Sequence, residues 1–162
     1  MNRRTALMGL CSACLVTPAD ALETVAMPLD THGYRSAPRR GDSIPWNVLG
    51  ATANRTEVIG ADSFVRPVFT PTVLALDGQR IRVNGYMNPM EESQLQRHFY
   101  LMAYPLSCPY CLSVGAQFVI DTRAPRGVRF TYDAILVEGR MELLHRDPDG
   151  AFYRLHDAQL VR

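Results

Sequence analysis

The sequence contains no lysine, and all 17 of its basic residues are arginine. We attribute this bias to the base composition of the source genome, because either residue keeps a positive charge at the surface. The net charge is only +1, and the arginines are scattered along the chain. A nucleic-acid-binding domain would instead show a basic stripe or patch. The composition therefore gives no support for a nucleic acid as partner.

Three motifs of common enzyme classes are also missing from the sequence. It has no Gly-x-Ser-x-Gly elbow, no phosphate-binding loop and no His-Glu-x-x-His pair. Glu91 and Glu92 are adjacent, so on a helical turn their carboxylates would diverge and remain solvated. These absences disfavour the enzyme classes that use those motifs, so a non-enzymatic protein is the leading expectation and enzyme activity is left open.

The first 21 residues have the pattern of an export signal. Arg3-Arg4 provides the charged start, Ala6 to Val16 the apolar segment, and Ala19-Asp20-Ala21 the cleavage site. The apolar segment is too short to span a bilayer. The paired arginines resemble a twin-arginine signal, although Ala6 replaces a bulky residue, so general export is the alternative. We predict cleavage near Ala21, a periplasmic or secreted location, and no membrane span in the mature chain.

Cys11 and Cys14 lie inside this apolar segment, so we discount them as metal ligands. Lipidation of Cys14 after Ser12-Ala13 is a further alternative. It is disfavoured because Cys11 occupies the position where leucine is usual.

Residues 22–43 combine prolines, glycines and few periodic apolar residues, which is typical of a mobile leader. His32 lies here and is expected to be solvated. The folded domain is predicted to span residues 44–162. Trp46, the only tryptophan, follows Pro45 and is expected to cap one end of the core.

The domain reads as consecutive strands with period-two alternation and no sustained helical period. We expect a hairpin turning at Asp77-Gly78, and glycine-induced bends at Gly85 and Gly139 inside two long strands. The predicted strands are Phe69 to Leu76, Gln79 to Met87, Arg97 to Tyr104, Gly115 to Asp121, Val128 to Tyr132, Ala134 to Leu144 and Phe152 to Leu160. This pattern predicts an all-β, small antiparallel barrel of the OB-like kind with a disordered N-terminal leader; a β-sandwich is the alternative.

Cys108-Pro109-Tyr110-Cys111 is the stretch most able to carry chemistry, because after cleavage it holds the only two cysteines. Outside the cytoplasm the leading expectation for such a pair is a disulfide. A thiol–disulfide enzyme is the alternative, with Cys108 as nucleophile and Cys111 as resolving thiol. That chemistry normally needs a helix beginning at the first cysteine, and the strand-like sequence after the loop leaves little room for one.

A metal ion is the third use of the pair. Thiolates suit zinc or copper(I), but a closed zinc site needs four ligands. His98, His145 and His156 are the available nitrogen donors. His98 is the best candidate, because it opens the strand that leads into the loop, on the face opposite Phe99. The candidate metal ligands are therefore Cys108, Cys111 and His98, with zinc as the possible cofactor.

Several segments together resemble the bacterial DUF3299 family, a domain of unknown function, over roughly Pro45 to Val161. The Gly-Tyr-Met-x-Pro element is the most specific of them. The segments are Pro45 to Leu49, Leu76 to Gln79, Asn84 to Pro89, Phe99 to Leu101, the cysteine stretch, Val137 to Gly139 and Tyr153 to Leu155. The resemblance implies a secreted protein without established enzyme activity. Some family members are encoded beside membrane transport components and zinc-responsive genes.

Together these patterns predict an exported, non-enzymatic accessory protein that binds a partner or a metal near the cysteine loop, and the family resemblance implies a role in zinc uptake or homeostasis. The partner would be a membrane transport component or another exported protein.

Overall fold

The computed structural model describes residues 33, 35–105 and 114–161. The predicted signal peptide, residues 22–32 and 34 of the predicted leader, and both cysteines of the loop lie outside these residues.

The described chain forms two short helices, a separate hairpin and a barrel. The helices are α1 (Trp46–Gly50) and α2 (Pro71–Leu74), and the hairpin is β1 (Ala53–Ile59) with β2 (Asp62–Val68). The barrel strands are β3 (Arg80–Pro89), β4 (Leu95–Met102), β5 (Val119–Arg129), β6 (Ile135–Leu143) and β7 (Tyr153–Leu160), and a 3₁₀ turn (Ala116–Phe118) precedes β5.

The barrel closes in the order β3-β4-β5-β7-β6, and β6 pairs back onto β3. Every neighbouring pair is antiparallel except β5 with β7, which is parallel. A five-stranded closed barrel of this kind is the OB-like architecture. The predicted barrel is confirmed, and the alternative sandwich is not formed.

Period-two alternation builds the barrel interior, as the sequence predicts. On β6, Ile135, Val137, Met141 and Leu143 are buried, whereas Glu138 and Arg140 face outward. The same alternation on the other strands fills one core. Its fully buried larger side chains include Phe99, Leu101, Ile120, Met141, Tyr153 and Leu155.

Both interior glycines sit where another chain segment approaches closely. A Cβ at Gly85 would lie 2.8 Å from the Met102 carbonyl oxygen, and one at Gly139 would lie 2.8 Å from the His156 carbonyl oxygen. The β6–β7 register also shifts between Glu138 and Arg140, around Gly139. These glycines therefore allow the tight strand contacts that barrel closure requires.

The segment before β3 differs from the predicted strand at Phe69 to Leu76. Thr70 Oγ1 accepts a hydrogen bond from the Val73 amide, and Pro71 opens the first turn, so the segment begins helix α2. A threonine cap followed by proline favours a helix start over a strand. The Asp77-Gly78 turn exists, but it connects α2 to β3.

Strand β5 also differs from expectation, because it runs through Pro125 and Gly127 as a single strand. Residues 124–127 have no register partner on β4, whose pairing passes from Arg123 directly to Val128. Gly127 has a φ of +74° there. The unpaired stretch tolerates both residues, because no ladder hydrogen bond is required of them.

Residues 35–43, which composition placed in the leader, lie against the barrel. The Ala37 amide donates to the Ala103 carbonyl at 2.7 Å, and the Asn84 side chain donates to the Pro38 carbonyl at 2.8 Å. Ala37 and Ser43 are buried. This part of the segment packs because its backbone groups find partners on the barrel, a feature that composition does not report.

Trp46 caps the core as predicted, and it donates its indole N–H to the Asn84 carbonyl at 2.8 Å. The buried Tyr153 hydroxyl donates to the Leu49 carbonyl at 2.7 Å and lies 2.6 Å from Thr52 Oγ1. These contacts fix α1 across the end of the barrel.

None of the helices in the described residues is long and apolar enough to cross a membrane.

Candidate functional site

The cysteine loop leaves the barrel from a closed base. The Ala103 amide donates to the Phe118 carbonyl at 3.0 Å, and the rings of Tyr104 and Phe118 meet edge to face at 5.6 Å. The end of β4 and the 3₁₀ turn are thereby held together on both sides of residues 106–113. Cys108 and Cys111 lie outside the described residues, so their pairing, redox use and metal binding stay predictions.

A groove of about 170 Å³ opens beside this base. Its lining residues come from β4, the start of β5, the 3₁₀ turn and the β6–β7 turn: Tyr100, Val114, Ala116, Val119, Asp149, Gly150 and Ala151. Val114 is three residues beyond Cys111, so the groove borders the loop directly. Its walls are mostly apolar, and Asp149 contributes a carboxylate.

The pKa of the Tyr100 phenol is raised above its usual value by its surroundings in this groove. Burial raises its pKa first, and the negative charges of Asp121 and Asp149 raise it further, whereas Arg123 opposes them. A neighbouring negative charge disfavours a phenolate and favours a cation. Among the lining residues of the groove, Asp149 is the one that carries a charge, and it is negative.

His98 lies on the outer face of β4, two residues from Tyr100, and their rings are 6.0 Å apart. It faces away from the buried Phe99, as the sequence predicts. Its Nε2 lies 2.8 Å from Asp121 Oδ1. Because a carboxylate on one ring nitrogen fixes the imidazole, the opposite nitrogen Nδ1 is the atom oriented for another partner.

Asp121 is the centre of a charged cluster that joins three strands. Its side chain is 5% exposed, although it lies on the outer side of β5. Besides His98 on β4, it accepts hydrogen bonds from Arg154 on β7 at 2.8 Å and Arg123 at 3.1 Å. The register places Asp121 directly opposite Arg154 in the parallel β5–β7 pair. The cluster therefore holds β5 against β7, the one parallel strand pair of the barrel, beside the groove.

The arginines lower the pKa of Asp121. Burial alone would raise it, but hydrogen bonds from Arg154 and Arg123 and the charges of Arg123 and His98 outweigh burial and hold the pKa below its usual range. The carboxylate therefore remains ionised down to acidic pH.

This shift predicts an acid-dependent loss of stability. Because the native pKa is below the unfolded value of about 3.9, Asp121 stabilises the fold above that pH, and this contribution disappears as pH falls through the native pKa. We expect the free energy of unfolding to fall with pH below about 4, and Asp121→Asn to reduce that slope. Urea titrations at a series of pH values measure it. If the free energy of unfolding falls equally steeply with pH in both proteins, Asp121 is not the group responsible. Some pH dependence should remain in Asp121→Asn, because Arg80 and Arg82 also lower the pKa of Glu138.

Neither of the other two described histidines joins His98. His156 Nε2 pairs with Glu142 Oε2 at 2.6 Å, and His145 stacks edge to face on Phe69 at 5.2 Å. Across residues 33, 35–105 and 114–161, no three His, Cys, Asp or Glu side chains come together to hold a metal ion. A metal site at this groove would therefore need the sulfur atoms of the loop.

Sequence reasoning found His98 but missed Asp121, Arg154 and Asp149. One signal was available for Asp121, because it is a carboxylate directly after the apolar run Phe118-Val119-Ile120. No sequence pattern near Arg154 indicated its role, because Arg154 and its partner Asp121 are 33 residues apart in sequence.

Comparisons with known proteins give one structural likeness. No protein-family model matches the chain. No curated protein matches it either. The chain is similar to the crystal structure of a DUF3299 family protein from Pseudomonas aeruginosa PAO1, with 23% identity over 59% of this chain and 68% of that chain, and a TM-score of 0.44. The solved protein carries the name of the family that the sequence resembles.

Proposed function

We propose that this chain is an exported accessory protein without enzymatic activity, which binds a zinc-class metal ion where the cysteine loop leaves the barrel. The observation that carries the proposal is the groove at the closed base of that loop, with the Asp149 carboxylate in its lining. A fixed base holds the loop ends in place, so less conformational freedom is lost when a ligand binds. The Asp149 carboxylate favours a cation over an anion at the groove.

The donor atoms would come from the loop and from the barrel. Cys108 and Cys111 would supply two thiolate ligands, the type that zinc accepts readily. From the barrel, the groove offers the Asp149 carboxylate, and His98 offers the Nδ1 atom that its contact with Asp121 orients. Bound zinc would act structurally, by ordering the loop around a fixed charge.

The chain after the loop favours this function over thiol–disulfide exchange. It enters the 3₁₀ turn Ala116–Phe118 and then β5, within a barrel in which most strand pairs are antiparallel. Exchange enzymes with this cysteine spacing use a helix N-terminus to stabilise the thiolate, within a βαβ arrangement. The proposed partner, a membrane transport component or another exported protein, follows from the implied neighbours of DUF3299 genes.

The test is zinc titration of the purified reduced protein against a chromogenic chelator. We expect one ion per chain. Cys108→Ser should weaken affinity by tenfold or more, because it removes a ligand, and His98→Gln should weaken it by about tenfold. The matched control is His156→Gln, since His156 also pairs Nε2 with a carboxylate and is similarly exposed, at 31% against 27% for His98.

Thiol counting on protein taken from its own compartment completes the test. Free thiols with stoichiometric zinc support metal binding. A bridged, metal-free pair would contradict it and leave a structural disulfide. Reduction of insulin disulfides that Cys108→Ser abolishes would instead support the exchange enzyme.

A further inference from the structure

The β1–β2 hairpin exposes an unusual amount of apolar surface. Five of its apolar residues are well exposed: Val58 (70%), Ile59 (48%), Phe64 (44%), Val65 (54%) and Val68 (50%). Within the described residues, β1 pairs only with β2 and β2 only with β1. A two-stranded hairpin is marginally stable by itself in water, and contiguous exposed apolar residues mark contact surfaces. The hairpin therefore has the character of an incomplete sheet.

The turn geometry identifies the outward backbone groups. Gly60 and Ala61 form a two-residue loop closed by Ile59 opposite Asp62, and Gly60 has a φ of +65°. The closing pair of such a loop is hydrogen-bonded, and the pairs then alternate along the ladder. The backbone groups that point away from the hairpin are therefore those of Asn54, Thr56 and Val58 on β1, and of Ser63, Val65 and Pro67 on β2.

The two free edges are not equivalent. Pro67 lacks an N–H, so it interrupts the outer edge of β2, a common way to block strand addition. Asn54, Thr56 and Val58 keep their donors, so the outer edge of β1 can accept another strand along its length. We call this free outer edge the β1 edge.

The β1 edge is complementary to itself. In antiparallel pairing about a twofold axis at Thr56, Thr56 faces its own copy and Asn54 faces Val58 of the second copy, so all three outward-facing residues form hydrogen-bonded pairs. In the same register, Arg55 lies opposite Glu57 of the second copy, and Glu57 lies opposite that copy's Arg55. Within its own chain Glu57 also pairs with Arg66 and lies 4.0 Å from Arg146, so the second copy's Arg55 would share this carboxylate. Opposite charges at cross-strand positions stabilise a pairing, and like charges destabilise it. Backbone donors and side-chain charges therefore select one register.

We propose that two copies of this chain associate through their β1 edges to form a continuous four-stranded antiparallel sheet. The contact involves one strand per copy, which is small beside a standard interface of about 1,600 Å². The dimer is therefore concentration-dependent, and salt weakens it because two ion pairs fix the register. This inference is independent of the metal site, since neither the loop nor the groove takes part.

Sedimentation across a concentration series tests the pairing. We expect reversible dimers in the wild type. Thr56→Pro should weaken association by tenfold or more, because it removes a central outward N–H without touching the β1–β2 ladder. Ser63→Pro is the matched control, because it removes an outward N–H from the β2 edge of the same hairpin and should leave association unchanged.

A charge exchange tests the register. Arg55→Glu alone places like charges opposite each other in the homodimer and should dimerise about tenfold more weakly. Glu57→Arg alone does the same, and it also removes the ion pair that Glu57 makes with Arg66 of its own hairpin. An equimolar mixture of the two variants restores both opposite-charge pairs and should form heterodimers. Thermal unfolding of each variant verifies that the barrel is intact. A wild type that stays monomeric at its highest soluble concentration, dimers that Thr56→Pro leaves unchanged, or a mixture that does not recover would each overturn the proposal.

Discussion

Asp121→Ala is expected to lower the free energy of unfolding by about 2 kcal/mol, because Arg154 and His98, which are 23% and 27% exposed, lose the carboxylate that they share. Asp121 is nearly buried and receives contacts from His98, Arg123 and Arg154. The parallel β5–β7 pair beneath it has only two register pairs, so few backbone hydrogen bonds hold these two strands together. Urea denaturation followed through the buried Trp46 measures the change.

Glu138→Ala is the matched control for this loss. Glu138 also accepts hydrogen bonds from two arginines, Arg80 and Arg82, each at 2.8 Å. Those arginine side chains are 50% and 39% exposed, so water replaces the lost carboxylate. Ion pairs of this kind contribute little to stability. Equal losses in the free energy of unfolding for the two variants would show that Asp121 does not hold β5 against β7.

Gly139→Ala is expected to destabilise the barrel by about 2 kcal/mol, in the range typical of overpacked cores. An added Cβ would lie 2.6 Å from Leu155 Cγ and 2.8 Å from the His156 carbonyl oxygen. The side chain can shift, but the backbone oxygen belongs to the strand paired with β6. The strands must therefore separate at the register shift between Glu138 and Arg140.

A double-mutant cycle with Leu155→Ala separates the two contacts. If the leucine causes most of the strain, the double variant loses less stability than the sum of the single variants. We expect only partial recovery, because the His156 carbonyl remains. Wild-type stability in Gly139→Ala would show that the strands have room for a side chain, and that this glycine is not required for barrel closure.

The barrel could be predicted from sequence because its main signals are local. Alternation on β3 and β6 assigns an inner and an outer face, and Gly85 and Gly139 mark the places where strands approach closely. Helix α2 could not be predicted from apolar content alone, since the cap at Thr70 and the proline after it decide its conformation. The β1–β2 hairpin was missed because its apolar residues lie on both faces and show no buried side.

One residue of the candidate site could be predicted from the sequence, but its partners could not, because their positions depend on strand pairing. His98 could be selected because it stands opposite Phe99 on a strand leading into the cysteine loop. Its partner Asp121 depends on how β4 aligns with β5, and Arg154 depends on a parallel pairing between strands distant in sequence. Such alignments follow from the packing of the whole barrel rather than from a local pattern.

The hydrogen bond between Ala103 and Phe118 has a consequence for engineering. It joins the end of β4 to the 3₁₀ turn, so the two chain ends that flank residues 106–113 are held close together. Lengthening a loop costs little entropy once its ends are fixed, because closure entropy grows only logarithmically with length. A foreign epitope or a designed chelating peptide grafted between residues 105 and 114 would therefore start from two ends that the barrel already holds.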